Sequence, residues 1–257
     1  MKPLHIVTSL CCDDNFCTLI HDSESQLTAT IDAPNTKIIL NILEKKGWIL
    51  THIFNTHHHK DHIQANLELK KLFNCTIFGP LKEFHKIPGI DYALSDKEIL
   101  NFGKHPVEIF STPGHTIGHI CYYFLKDRLF FVGDTLFSLG CGRIFEGTFK
   151  EMFDSLQKIT SLPEETSIYF GHEYTYTNAR FALSYDPNNL ELQKYFSNIK
   201  SLLNEKRYTN PTTLSLEKKT NPFLRTDDFT IRKNLCMKDK SNLEVFTELR
   251  NRKDKFR

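Results

Sequence analysis

Residues 56–62 read THHHKDH, which puts four histidines and an aspartate into seven consecutive positions. Protonated imidazoles this close repel one another, and a cluster of them offers nothing to an apolar core. Neutral imidazole and carboxylate are, however, natural ligands for borderline cations such as Zn²⁺, Fe and Mn²⁺. With His58 and Lys60 as spacers, the run becomes His57-x-His59-x-Asp61-His62. Three further segments each present one donor beside a glycine: His115 in STPGHTIGH, Asp134 in FVGDTLF and His172 in YFGHEYT. One ion takes three or four protein groups and keeps a position for water, so this many donors implies two ions. Two metals about 3.5–4 Å apart can share a water and lower its pKa toward neutrality, which makes a nucleophile without a serine or cysteine. No G-x-S-x-G is present, and Cys141 in GCG reads as a small structural residue. Plainer readings exist for each piece. Asp61 could cap the helix that follows, His52 and His58 are read as core or surface histidines, and a lone His or Asp beside a glycine is commonly a turn residue. The conjunction of all four segments favours a metal site.

These donors need strand ends to carry them. HIVTSL, FCTLIHD and LTATIDA read as consecutive strands separated by CDDN and DSESQ. Asn35 is placed to cap a helix whose apolar face is Ile38, Ile39, Ile42 and Leu43 and which Gly47 ends. WILTHIFNT reads as a buried strand delivering the histidine run, HIQANLELKKLF as a helix and CTIFGP as another strand. VEIFSTPG leads into His115, the hairpin HICYYFL–RLFFVGD delivers Asp134, and SIYFGHEY follows the helix FKEMFDSLQKIT to deliver His172. From about Tyr174 the texture becomes helical, in YTNARFALSY, NLELQKYFSNIKSLLNEK and NLEVFTELRNRKDKF, with a polar loop expected over residues 208–225. The expected division is a β-rich domain over 1–173 and a smaller helical domain over 174–257.

Composition narrows the function classes. The 257 residues are 40% hydrophobic and 25% charged, the mixture of a soluble globular protein. A net charge of +2 is too mild to imply a nucleic-acid partner. No apolar run approaches the roughly 18 residues of a membrane span, and the opening MKPLHIVTSL lacks the marks of a signal peptide. Seven cysteines, none in a C-x-x-C pair, suggest reduced thiols and hence a cytoplasmic location.

The motifs T-H-H-H-x-D-H, T-P-x-H-T-x-G-H, G-D-T-L-F and G-H-E-Y resemble those of the metallo-β-lactamase superfamily. Within it, GCGRIFEG (140–147), NPFLR (221–225) and the terminal RNRKDKF extend the resemblance to the hydroxyacylglutathione hydrolase (glyoxalase II) family. The resemblance implies an α/β fold: an αββα sandwich followed by a smaller C-terminal α-helical domain. It implies that His57, His59 and His115 hold one divalent metal and that Asp61, His62 and His172 hold a second. Asp134 would bridge the two, and His119 is left as a supporting group. Zinc is the first expectation, with iron or manganese accepted by the same ligands.

The implied activity is hydrolysis of the thioester S-D-lactoylglutathione by a metal-bridging hydroxide, with Asp61 and Asp134 as the catalytic carboxylates. Substrate would be held by Arg143, Ile144 and Phe145, by His172, Glu173 and Tyr174, and by Arg250, Asn251, Arg252 and Lys253. Phe145 departs from the tyrosine frequent in the family, so any hydrogen bond from that hydroxyl is absent here. A monomer is expected. A persulfide dioxygenase, a β-lactamase or a lactonase would share the sandwich without use for the basic tail. An RNA-processing nuclease would call for a concentrated basic surface, and a catalytically dead binding protein would not keep seven ligands.

Overall fold

The computed structural model describes Lys2–Phe256, in two compact units. One runs to Thr112 and resumes over Ile117–Gly133; the other comprises Pro113–Thr116 and the chain from Asp134 onward.

The first unit holds β1 (His5–Cys11), β2 (Asn15–Asp22), β3 (Leu27–Ile31), α1 (Thr36–Lys46), β4 (His52–Phe54), α2 (Lys60–Ile63) and α3 (Asn66–Phe73). It continues through β5 (Thr76–Pro80), β6 (Tyr92–Leu94), β7 (Ile99–Phe102), β8 (His105–Ser111), β9 (Ile120–Phe124) and β10 (Leu129–Gly133). Strands β1 to β6 form one sheet in sequence order, antiparallel through β3 and parallel beyond it. Strands β7 to β10 pair antiparallel in succession. The two sets meet face to face, where Phe54 stacks on Tyr122 at 5.1 Å and meets Phe102 edge-on at 5.9 Å. On the outer side of the first sheet, Ile39, Ile42 and Leu43 of α1 and Leu69 of α3 share a core with Leu19, Ile53 and Ile77. Asn35 caps α1 by accepting from the Ile38 amide, and Gly47 ends it in the left-handed conformation (φ 66°).

The helix expected over residues 62–73 is broken in two. The His62 carbonyl accepts from the Ala33 amide at 2.7 Å and the Ala65 amide donates to the Ala33 carbonyl at 3.0 Å. Both groups are thereby withdrawn from the helical ladder. Strands β6 and β7, each three or four residues long, carry too little alternation to be read in advance.

The second unit holds β11 (Leu136–Phe137), β12 (Gly140–Cys141), α4 (Phe149–Thr160), β13 (Ser167–Phe170), α5 (Thr175–Tyr185), α6 (Leu190–Asn204), β14 (Thr212–Thr213), α7 (Leu214–Thr220), α8 (Phe229–Leu235) and α9 (Asn242–Lys255). A capping box of Thr148 and Glu151 starts α4. The stretch expected as a polar loop over 208–225 instead contains β14, which pairs antiparallel with β13, and the Thr213-capped helix α7. Helix α8, capped by Asp228, was likewise not foreseen. All seven cysteines are free and five are buried. Among the described residues, no helix is long and apolar enough to cross a membrane.

Tyr122 is fully buried and its hydroxyl donates to the Asn55 carbonyl at 2.7 Å. Tyr122→Phe leaves that carbonyl buried without this donor, so unfolding in urea should show a loss of about 1–3 kcal/mol with an unchanged m-value.

Candidate metal centre

In the first unit, β4 ends at Phe54 and passes directly into the histidine run. His57 and His62 are buried and His59 half-buried. Their rings gather closely, with centroids 4.2 Å apart for His57 and His62 and 4.7 Å for His57 and His59. His119 stacks on His57 at 5.0 Å. Asp61 lies in the first turn of α2, whose cap position is His59. Its Oδ2 stands 3.5 Å from His62 Nε2 and accepts from Asn15 Nδ2 at 3.0 Å.

Which ring nitrogen can serve a cation is set by what the other one does. His62 Nδ1 donates to Asp32 Oδ2 at 2.8 Å, because a carboxylate can only accept. The Thr56 hydroxyl also donates to Asp32, at 2.9 Å, so toward His57 Nδ1, 3.0 Å away, it acts as acceptor. Both rings therefore carry their proton on Nδ1 and turn an Nε2 lone pair outward. His58 points elsewhere: its amide and Nδ1 lie 2.8 and 2.9 Å from Glu83 Oε2, and Glu83 Oε1 accepts from the Gly118 amide at 2.9 Å.

In the second unit, His115, Asp134 and His172 are all buried. Asp134 Oδ2 lies 3.4 Å from His115 Nε2 and 3.3 Å from His172 Nε2. His115 donates from Nδ1 to the Arg143 carbonyl at 2.7 Å, which again leaves Nε2 with the lone pair. The backbone here has no room to spare, since a Cβ on Gly142 would lie 1.9 Å from the Asp134 carbonyl oxygen.

The donor set suits divalent cations. Two donors each about 2.1 Å from one tetrahedral ion stand about 3.4 Å apart, and the His62–Asp61, His115–Asp134 and His172–Asp134 separations are 3.5, 3.4 and 3.3 Å. These histidine and aspartate clusters bind divalent metal ions.

Comparison with known proteins agrees at both levels. Residues 28–172 match the family model for the metallo-β-lactamase superfamily, and residues 173–256 match the one for the hydroxyacylglutathione hydrolase C-terminus. A hydroxyacylglutathione hydrolase of Rhizobium johnstonii is 54% identical over the whole of both chains. The chain belongs to the hydroxyacylglutathione hydrolase family. Among solved structures, ETHE1 from Myxococcus xanthus aligns with a TM-score of 0.69 at 23% identity, covering 96% of this chain and 90% of its own. TTHA1623, crystallised in a di-iron-bound form, aligns with a TM-score of 0.62 at 24% identity, over 86% of this chain and all of its own. Both share the sandwich fold.

The residues that the family resemblance assigns to substrate are disposed unequally in this hydroxyacylglutathione hydrolase-family chain. Arg143 is half-exposed, donates from Nε to Asp254 Oδ1 at 3.2 Å and lies over the exposed ring of Phe145. Phe145 in turn meets the His115 ring at 5.2 Å, and its amide donates to the His115 carbonyl. Ile144 is half-buried. The Tyr174 ring stacks flat on His172, 5.0 Å away at an interplanar angle of 4°. Glu173 is engaged internally, accepting from the amide and hydroxyl of Thr209. Arg250 is buried rather than presented: it donates to the Cys141 carbonyl at 2.7 Å and to Asp254 Oδ1 at 2.8 Å. Asn251 is exposed, and Arg252 pairs with Glu248 at 2.6 Å. Lys253 is half-buried; burial and the neighbouring Arg250 charge lower its pKa to about 8. Burial raises the Cys141 thiol to about 11, which keeps it protonated and inert at neutral pH.

Sequence reasoning missed Asp32 and Glu83. Neither sits in a recognisable motif, although Asp32 lies within the predicted strand LTATIDA, where a buried carboxylate needs a reason. Asp32→Asn replaces an acceptor oxygen with a donor facing His62 or Thr56. The variant should fold yet bind metal about 10–100-fold more weakly, as read by competition with a chromophoric chelator.

Proposed function

We propose that this chain hydrolyses the thioester S-D-lactoylglutathione to glutathione and D-lactate, the second step of the glyoxalase route of methylglyoxal detoxification, in the cytoplasm and as a monomer. The observation that carries the reading is the full-length likeness to hydroxyacylglutathione hydrolases combined with an intact set of seven donors. We assign the sandwich to residues 1–173 and the substrate-binding helical domain to 174–257. Two divalent ions, zinc first, would be held by His57, His59 and His115 and by Asp61, His62 and His172, with Asp134 common to both. When bound, the pair would acidify water and polarise the thioester carbonyl.

The protein's own groups do the rest. Asp134 would contribute two carboxylate oxygens and one negative charge toward two dications. Asp32, Thr56 and the Arg143 carbonyl hold the Nδ1 protons of His62, His57 and His115, which would leave their Nε2 lone pairs for the ions. Arg143 offers a half-exposed guanidinium to a glutathione carboxylate, with Phe145 and Tyr174 as flat apolar walls. Lys253 adds a second cation. Arg250 acts differently from a surface cation, because it ties Cys141 to α9 and shares Asp254 with Arg143. A thiolate leaves readily without a dedicated acid.

The test is loss of thioester absorbance on adding S-D-lactoylglutathione to the metal-loaded protein. Asp134→Asn should fold normally and lose turnover by at least about a hundredfold, the scale of a lost charge-stabilising group. Near-normal turnover in that variant would remove the dinuclear assignment.

Lys253 gives a pH signature. Its charged form is depleted as pH rises through about 8, so KM should climb across that interval with kcat little changed. Lys253→Arg, which stays charged, should flatten the profile. A wild-type KM that is constant from pH 7 to about pH 9 would take Lys253 out of substrate binding.

A further inference from the structure

The hairpin of β11 and β12 joins Asp134 to Arg143, and a buried polar network in the second unit holds it. Leu139, at its turn, adopts a left-handed φ of 59°, which a branched side chain rarely accepts unaided. Its side chain is buried with Ala179, Ala182, Leu192 and Ile199 of α5 and α6. Its amide donates to Glu217 Oε2 at 2.8 Å. The same oxygen accepts from Asn221 Nδ2 at 2.9 Å, and Oε1 accepts from the Thr212 hydroxyl at 2.8 Å. Asn221 Nδ2 reaches the carbonyls of Phe137 and Gly140 at 3.2 and 3.0 Å, and Asn178 donates to the Ser138 carbonyl at 3.0 Å. Every residue from 137 to 140 is therefore gripped by α5 or by the α7 region.

Glu217 is the centre of this grip. It is wholly buried, and among the described residues it has no cationic partner. Burying a carboxylate in this way is costly, and the burial lifts its pKa to about 7. A methionine would fill the same volume without that cost, so packing alone does not explain a carboxylate here. Two acceptor oxygens explain it, since they satisfy an amide, a hydroxyl and a carboxamide at once.

We propose that Glu217 is a positioning residue for the thioester reaction: through Leu139 and Asn221 it sets the β11–β12 hairpin and thereby the place of Arg143 in the substrate site. The inference rests on the glutathione-thioester reading given above. Glu217→Gln can keep the arrangement, with its amide oxygen toward Leu139 and Asn221 and its NH₂ toward the Thr212 hydroxyl acting as acceptor. Glu217→Met cannot.

Steady-state kinetics with S-D-lactoylglutathione and metal analysis should be run on both variants. Glu217→Met should raise KM about tenfold, the scale of one lost hydrogen bond to a charged group, with kcat within about twofold and metal content unchanged. Glu217→Gln should return KM to within about twofold of wild type. A merely structural role would lower the active fraction, and so apparent kcat, while leaving KM alone; that result overturns the proposal. Should Glu217→Met fail to fold, Asn221→Leu, which removes the bonds to Phe137 and Gly140, should give the same KM rise, and an unchanged KM there also overturns it. If the wild type does not hydrolyse this thioester, the functional reading falls, and amide hydrogen exchange decides the structural claim. Exchange over residues 136–147 should quicken in Glu217→Met relative to α4, and equal protection in variant and wild type would refute the grip.

Discussion

An imidazole serves a cation through one nitrogen more strongly and in a fixed direction when the proton on its other nitrogen is held in place, and the first unit is built to hold it. Asp32 does so for His62 directly and for His57 through the Thr56 hydroxyl. Its position follows from strand register. Ala29, Thr30 and Ile31 of β3 lie opposite His52, Ile53 and Phe54 of β4, and the next bond, from the Asp32 amide to the Phe54 carbonyl, brings the carboxylate beside Thr56. A slip of one residue would reverse every side chain and point Asp32 away from the histidines. The parallel pairing of two short strands thus fixes the tautomer of two histidines proposed to meet metal.

The second unit holds such a proton with backbone instead of a carboxylate. His115 donates to the Arg143 carbonyl, while the amides of Phe145 and Glu146 return to the His115 carbonyl. The exchange is reciprocal, so the segment proposed to meet substrate and the ligand proposed to meet metal are built as one piece. Gly142 between them must be glycine because the Asp134 carbonyl occupies the space of a side chain.

The sequence made the donors legible because metal binding demands particular residue types at particular spacings, and those cannot be disguised by packing. The long elements were legible for a similar reason: α1 and α4 carry their own caps and apolar stripes. What escaped was whatever depends on partners remote in sequence. The break between α2 and α3 is made by Ala33, some thirty residues upstream. The short strand β14 exists because β13 offers it an edge. Arg250 is expected from RNRKDKF to meet substrate, and nothing in that motif announces that its guanidinium is taken up by Cys141 and Asp254. Asp32 and Glu83 carry no motif because their role is defined by geometry alone.

The pairing of β14 with β13 also bears on how the two family segments can be handled. Thr212 and Thr213 lie in the tail segment, but they pair in antiparallel register with Ile168 and Ser167 of the segment before it. A chain cut at the boundary between the segments would leave that side of β13 as a bare edge, a template for association with other chains. The tail is therefore no cassette to be swapped or trimmed at will: it completes a sheet, and the catalytic segment expressed without it should be prone to aggregate before it can be assayed.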